Sequence, residues 1–402
     1  MEFIITSAQI IAAAALTILA INSLYLLVFS VAGAKRAGRD VKNSKNNEES
    51  SFLVVFPAYK EDAVIVNSVA NFMRQEYSNF RVYVIADQLQ ETTIQKLEKN
   101  GASVCVLPEF EKRNKAKAIN YLLGQIKDVY SVCVIMDADN EVADSFLREM
   151  NGYFLSGALA VQAQRVAKNN ENNLSKLDGF SETINNHIFR KGQRALGMSS
   201  SLIGSGMAFE MNLFKLLMDG MDVVSGFDKE LELRLLENGV KIHYAENIKV
   251  YDEKVSSHEV FVNQRRRWIF AQIFFFRKNV FKAIYYLVSK GNIDYLNKVF
   301  QFILLPRIIC AGLGLLFVPI AYFVSMPMFM AAIVNALMMI TALIIPLLEI
   351  SSTKEILKLT LSVPRVFSNM MLALFTSGKA SKRFLHTPHG TGTEFKIHNS
   401  KL

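Results

Sequence analysis

No charged side chain occurs between residues 3 and 34 of this chain, and Lys35, Arg36, Arg39, Lys42 and Lys45 follow immediately. In lipid such a stretch must satisfy every backbone N–H and C=O within itself, and for a single segment that means a helix. The basic cluster sets the C-terminal end of that helix on the cytoplasmic side. Ala32-Gly33-Ala34 could serve as a signal-peptide cleavage site. The apolar stretch, however, far exceeds the roughly 7–15 residues of a signal core, and no basic residue precedes it. The segment is read as an anchor.

With 51% apolar residues among 402, further membrane segments are expected. The formal charge of +9 could point to nucleic acid, but the Lys and Arg residues lie beside long apolar runs, as membrane orientation requires. No nucleic-acid partner is expected. Cys105, Cys133 and Cys310 lack CxxC or metal-ligand spacing, so they indicate neither a disulfide framework nor a zinc site.

Residues 42–51 are polar and unpatterned, which suits a linker. From Phe52 the pattern changes. Phe52-Leu53-Val54-Val55-Phe56 is a continuous β-rich run stopped by Pro57, and similar runs recur at residues 81–86, 103–107 and 131–136. Helical patterns at 63–75 and 92–100 separate them, the second closed by Gly101. Strands alternating with helices predict an α/β fold with a mostly parallel, helix-covered sheet.

Ligands of such sheets bind beyond the carboxyl ends of the strands. Here the first strand runs into Pro57-Ala58-Tyr59-Lys60-Glu61-Asp62, the second into Asp87 and the fourth into Asp137-Ala138-Asp139-Asn140. Three acidic strand ends are hard to attribute to packing. The Asp137-x-Asp139 pair offers two carboxylates to one cation, and hard oxygen ligands suit Mg²⁺ or Mn²⁺ bridging a diphosphate. Lys115 opens a helix-like stretch where a cation and N-terminal amides could meet a phosphate, although a solvated basic face explains it equally well. Without a Gly-rich Walker loop, a nucleotide triphosphatase is disfavoured.

Asp228 stands at the start of another helical pattern, at or near its N-cap, and capping alone explains an Asp there. Group transfer to a hydroxyl needs a carboxylate base separate from the metal ligands, and Asp228 is a candidate. Gln264-Arg265-Arg266-Arg267-Trp268 contains the only tryptophan, and guanidinium groups and an aromatic ring suit a phosphate and sugar site at the membrane surface. An interfacial anchor of Arg and Trp has the same composition.

Residues 264–288 alternate basic and aromatic clusters and read as an interfacial amphipathic helix. Two spans are expected at about 299–324 and 328–348, joined by Ser325-Met326-Pro327, with Arg307 inside the first and expected to snorkel. Basic residues return only from Lys354 onward, which brings the tail back to the cytoplasm. Residues 353–377 read as a second interfacial helix, with a fourth span as the alternative.

Taken in order, Pro57-Ala58-Tyr59-Lys60-Glu61-Asp62, Asp87, Lys115-Ala116, Asp137-x-Asp139, Gly204-Ser205-Gly206, Asp228 and Gln264-x-x-Arg267-Trp268 resemble the membrane-bound inverting family 2 glycosyltransferases. These are relatives of cellulose, chitin and hyaluronan synthases, and the resemblance covers about residues 52–270. It implies a GT-A fold and direct displacement of a nucleoside diphosphate with inversion at the sugar. By position, Pro57, Ala58, Tyr59, Glu61 and Asp87 would hold base and ribose, Lys115 and Asp137 the diphosphate side, and Asp139 with Asp137 the metal. Asp228 would be the base. Gly204, Ser205 and Gly206 would line the acceptor path, while Gln264, Arg267 and Trp268 would form the acceptor and leaving-group site. Gln162, Gln164 and Arg165 lie where the family often has donor-sugar contacts.

Two departures stand out. Phe227 precedes Asp228 where the family usually has an acidic residue, and three expected spans are few for one chain to enclose a secretion channel. The expected plan is an anchor at 1–34, a linker at 35–51 and a cytoplasmic GT-A domain at 52–255. The Gln-x-x-Arg-Trp segment with its interfacial helix follows at 256–298, a membrane hairpin at 299–350, and an interfacial helix and tail at 351–402. The expected activity is hexosyl or N-acetylhexosaminyl transfer from a UDP-sugar to a polysaccharide or lipid-linked acceptor at the inner membrane. A processive synthase completed by other assembly or export proteins is one alternative, and a catalytically silent membrane scaffold is another.

Overall fold

The computed structural model describes residues 2–35, 48–109, 114–169, 172–223, 225–255, 257–349, 354, 356 and 362–379. The chain begins with a long helix, α1 (Glu2–Ala34). The linker expected at 35–51 and the basic cluster within it lie mostly outside the described residues.

β1 (Phe52–Tyr59) explains why its sequence does not alternate. Phe52, Val54 and Phe56 pack with Phe72 and Phe146 on one face of the sheet. Leu53 and Val55 pack with Ile119, Phe209 and Phe214 on the other, so the strand is covered on both sides. After it come α2 (Ile65–Phe72), β2 (Phe80–Asp87), α3 (Glu91–Lys99), β3 (Ser103–Val106), α4 (Lys115–Gln125) and β4 (Val132–Ile135). Gly101, at φ 90°, takes the left-handed turn that closes α3. The strands β3-β2-β1-β4 are all parallel, as the alternating pattern predicts.

The second half departs from that pattern. It comprises β5 (Glu141–Val142), α5 (Phe146–Leu155), β6 (Ala160–Ala167), α6 (Asn173–Asn186), a π-helical turn (His187–Gly192) and α7 (Gln193–Ala195). Next come β7 (Met207–Glu210), α8 (Met211–Met218), α9 (Phe227–Glu237) and β8 (Ile242–Asp252). β7 runs antiparallel between β4 and β6, giving one sheet in the order β3-β2-β1-β4-β7-β6-β8-β5. Because Ile135 pairs with Met207 in that antiparallel register, the turn entering β7 meets the turn leaving β4. Sheet direction thus brings residues 204–206 against Asp137.

Beyond the sheet lie α10 (His258–Lys290), α11 (Ile293–Ile303), α12 (Arg307–Val324), α13 (Met326–Leu348) and α14 (Val363–Thr376). Among the described residues three stretches are long and apolar enough to cross a membrane: Gln9–Ala34, Arg307–Val324 and Met326–Leu348. The span expected at 299–324 is therefore shorter. Pro306 has no N–H to continue α11, and Tyr295, Val299 and Phe302 join the domain core beside Phe275. Arg307, expected to snorkel, finds a protein partner. It opens α12 and donates from Nη2 to the Ser181 carbonyl at 3.1 Å and hydroxyl at 3.0 Å. Of the segment 353–377, the described part includes α14, which packs on α10 and α12 and is not one of the three span candidates.

α10 carries two apolar stripes. One, including Phe261, Ile269, Phe275 and Tyr286, is buried; Phe281, Ile284, Tyr285 and Val288 on another side are exposed.

Candidate active site

The ends of β1, β2 and β4, the turn entering β7, the start of α9 and the first half of α10 border one cavity of about 1540 Å³. Fourteen of the residues expected at the site line it: Pro57, Ala58, Tyr59, Glu61, Asp87, Lys115, Asp137, Asp139, Arg165, Gly204, Asp228, Gln264, Arg267 and Trp268. Ser205 and Gly206 do not.

Two strand ends turn sharply into the cavity. Tyr59 and Asp87 are register partners, and the residues that follow them, Lys60 (φ 56°) and Gln88 (φ 60°), both adopt left-handed backbone. Non-glycine residues there cost on the order of 1–3 kcal/mol each and persist only where surrounding contacts fix them. Here Lys60 N–H donates to the Asp87 carbonyl at 3.1 Å and Gln90 N–H to the Asp62 carboxylate at 2.8 Å.

The Asp137-Ala138-Asp139 turn is held from behind. Asp137 N–H donates to Asn140 Oδ1 at 3.0 Å and Ser205 Oγ at 3.3 Å. Ser205, fully buried, donates in turn to Asn140 Oδ1. Ser205 therefore supports the Asp137-Ala138-Asp139 turn from behind. Gly206 has φ 60°, and a Cβ there would lie 2.7 Å from Val250 Cγ2, so both space and backbone require glycine. Gln162 is also structural: its buried amide donates to the Ser205 carbonyl at 2.9 Å and accepts from Ile203 N–H at 3.1 Å. Neither Gln162 nor Gln164 lines the cavity, whereas Arg165 does.

Asp139 Oδ2 accepts from Glu253 N–H at 2.9 Å and Oδ1 from Asn140 Nδ2 at 3.2 Å, which orients the carboxylate. Asp137 Oδ1 accepts from Lys115 Nζ at 2.7 Å. Lys115 is the first residue of α4, whose N-cap Asn114 accepts from Lys117 N–H at 2.8 Å. Among the described residues no three metal-ligating side chains converge. Two carboxylates on one turn fit Mg²⁺ or Mn²⁺, which take one or two protein carboxylates and complete their shell with substrate phosphates and water.

Asp228 is the second residue of α9, not its cap. The cap is Gly226, at φ 79°, where a Cβ would lie 2.6 Å from Phe275 Cε2. Capping therefore does not account for Asp228, whose Oδ2 lies 3.7 Å from Lys229 Nζ. Phe227 is buried, with Lys115 Nζ 5.8 Å from its ring centroid, so it backs the lysine where the family usually has a carboxylate.

On α10, Arg265 rather than Arg267 covers Trp268, its guanidinium 4.1 Å from the ring centroid, and Arg265 also pairs with Asp178. Burial pushes the Arg267 guanidinium below its ordinary pKa, so this desolvated cation gains from a nearby anion. Gln264 Oε1 is buried and accepts no hydrogen bond among the described residues.

A buried charge cluster supports this floor and was not visible in the sequence. Glu182 on α6 accepts from Arg165 at 2.8 Å and Arg190 at 3.2 Å, with Lys254 Nζ 3.6 Å away. Lys254 also donates to Asp252 at 2.7 Å, beside Glu253, whose N–H holds Asp139. Burial alone would raise the Glu182 pKa, but Arg165, Lys254 and Arg190 outweigh it and hold the carboxyl well below its usual range. Asp252 is likewise lowered: burial opposes ionisation, and Lys254 and Arg165 overcome it.

A sheet of this order with metal-suited carboxylates beyond its strand ends defines the GT-A class of α/β glycosyltransferase domains. The chain belongs to the family described as glycosyltransferase like family 2, whose model matches residues 50–271, more than half of its length. Among solved structures, it is similar to the mannosyltransferase PcManGT from Pyrobaculum calidifontis in complex with GDP-Man and Mn²⁺. The TM-score is 0.51 at 18% identity, over 85% of this chain and 99% of that one. Glucosyl-3-phosphoglycerate synthase from Mycobacterium tuberculosis, in complex with Mn²⁺, UDP and glucosyl-3-phosphoglycerate, matches at a TM-score of 0.36 and 16% identity. That match covers 53% of this chain and 75% of the other. At 18% identity the likeness to the mannosyltransferase concerns the fold alone. No curated protein matches the chain.

Proposed function

We propose that this glycosyltransferase is membrane-bound and transfers a sugar, with inversion, from a UDP-sugar to a carbohydrate or lipid-linked acceptor on the cytoplasmic face. The carrying observation is that Lys115, Asp137, Asp139, Asp228 and Arg267 line one cavity although the sequence separates them widely. The motif order shared with membrane-bound relatives of cellulose and chitin synthases and the three span candidates support the same reading. The exposed apolar stripe of α10 suits an interfacial helix at the membrane surface.

In this mechanism the strand-end residues from Pro57 to Glu61, with Asp87, seat the nucleoside. Asp228 accepts the proton of the acceptor hydroxyl as its oxygen bonds to the anomeric carbon and the bond from that carbon to the diphosphate breaks. Lys115 and Arg267 offset the negative charge gathering on the departing nucleoside diphosphate. Asp137 and Asp139 would hold Mg²⁺ or Mn²⁺, which supplies further charge neutralisation at the diphosphate. Within the chain plan, residues 52–303 form the catalytic unit, because α10 and α11 share the domain core. Mass spectrometry of products from detergent-solubilised protein, a host lipid extract and a pool of UDP-sugars with GDP-mannose tests the donor and acceptor classes. A new glycosylated species from a UDP-sugar is expected; glycosylation from GDP-mannose alone overturns the donor assignment.

A further inference from the structure

The cavity does not end at the sugar site. It continues past Ser181 and Arg307 to Ile308, Ile340, Ile344 and Leu347 on α12 and α13, two helices apolar enough to cross a membrane. Ile340 and Ile344, one helical turn apart, line this arm yet keep 40% and 39% of their surface exposed. A sugar chain would find no hydrogen-bond partners along such a wall, and an alkyl or isoprenoid chain would need none.

One cation stands where the polar and apolar arms meet. Arg307 donates from Nη2 to Ser181, but its Nη1 is buried and has no hydrogen-bond partner among the described residues. The neighbouring acids are committed elsewhere, Asp178 to Arg265 and Glu182 to Arg165 and Arg190. A buried guanidinium nitrogen without a partner is costly, and an anion beside it removes that cost. Arg307 also opens α12, where the helix dipole favours negative charge.

We infer that the acceptor is a membrane lipid with a phosphate in its headgroup: its chain lies against α13, Arg307 holds the phosphate, and a headgroup hydroxyl reaches Asp228. This rests on the sugar-transfer reading above. The phosphate is the anchor and not the nucleophile, so a base is still required. Charge complementarity selects this occupant over a neutral lipid, and the apolar wall selects it over a free sugar phosphate.

The test uses the full chain in phosphatidylcholine nanodiscs with a photoreactive long-chain alkyl phosphate, the matching alkyl alcohol and a soluble sugar phosphate as competitor. Mass spectrometry should place phosphate-probe adducts on Met326–Leu348, with the alcohol labelling that helix about tenfold less and the soluble sugar phosphate failing to compete. Arg307→Gln should lower phosphate labelling about tenfold to the level of the alcohol, while Arg307→Lys, which keeps the cation, retains most of it. Ile344→Trp, which fills the apolar arm and leaves Arg307 in place, should lower labelling by the phosphate probe. Equal labelling by phosphate and alcohol, or labelling indifferent to Arg307→Gln, overturns the proposal. Because labelling needs no turnover, intact labelling without any UDP release would instead count against the transfer reading.

Discussion

Lys115 Nζ sits between the Asp137 carboxylate, at 2.7 Å, and the Gly204 carbonyl, at 2.9 Å, so one ammonium ties α4 to the turns leaving β4 and entering β7. Charge-assisted hydrogen bonds of this kind contribute about 1.5–3 kcal/mol each. Lys115→Ala should therefore weaken UDP binding with Mn²⁺ by about tenfold to a hundredfold in calorimetry. Unchanged affinity would remove Lys115 from the diphosphate site.

In the proposed mechanism Asp228 acts apart from the Asp137-Ala138-Asp139 turn that would hold the metal. Asp228→Asn should leave donor binding within a few-fold and lower kcat by about 10²–10⁴, the range of general-base contributions. A rise in KM at constant kcat would mean that Asp228 binds rather than abstracts a proton.

Glu182 gives a pH signature. Its folded pKa lies below its ordinary value, so the unfolded chain binds a proton more readily and ionised Glu182 stabilises the fold above the ordinary glutamate range. That contribution is lost as pH falls below that range toward the folded value. Removing one partner of a buried pair typically costs about 3–5 kcal/mol, so Glu182→Gln should lower the thermal midpoint clearly at pH 7. The gap from wild type should shrink as pH falls below about 4.5, the ordinary glutamate value. A gap that does not change with pH would contradict the charged assignment.

Gly226 meets two constraints at once, a left-handed backbone and Phe275 within 2.6 Å of any added Cβ. Gly226→Ala should cost about 1–3 kcal/mol, read as a lower thermal midpoint, and displace the start of α9 that carries Asp228. A midpoint equal to wild type would show that the backbone relaxes at no cost.

Much of this was legible from residue order because local patterns caused it. The runs ending at Pro57, Asp87 and Asp137 are buried on both faces, so they stand out as strands and their polar ends stand out as a site. β8 hides by the same rule: Glu246, Asn247 and Lys249 interrupt its apolar pattern, so neither the strand nor its end at Asp252 stands out in the sequence. Glu182 and Asn140 owe their roles to contacts with residues far along the chain, and sequence spacing carries no trace of those contacts. In the sequence Arg307 reads as a charge inside a span; its place at the start of α12 after Pro306 and its hydrogen bond to Ser181 depend on the fold.

UDP release from a UDP-sugar in the presence of Mn²⁺ and host lipid extract, compared between wild type and Asp139→Ala, bears most directly on the assignment. Asp139 is oriented by Glu253 and Asn140 toward the cavity shared with Lys115 and Asp228. The wild type should release UDP at least on the order of a hundredfold faster than the variant. Equal, slow release by both proteins would contradict the catalytic role of this cavity.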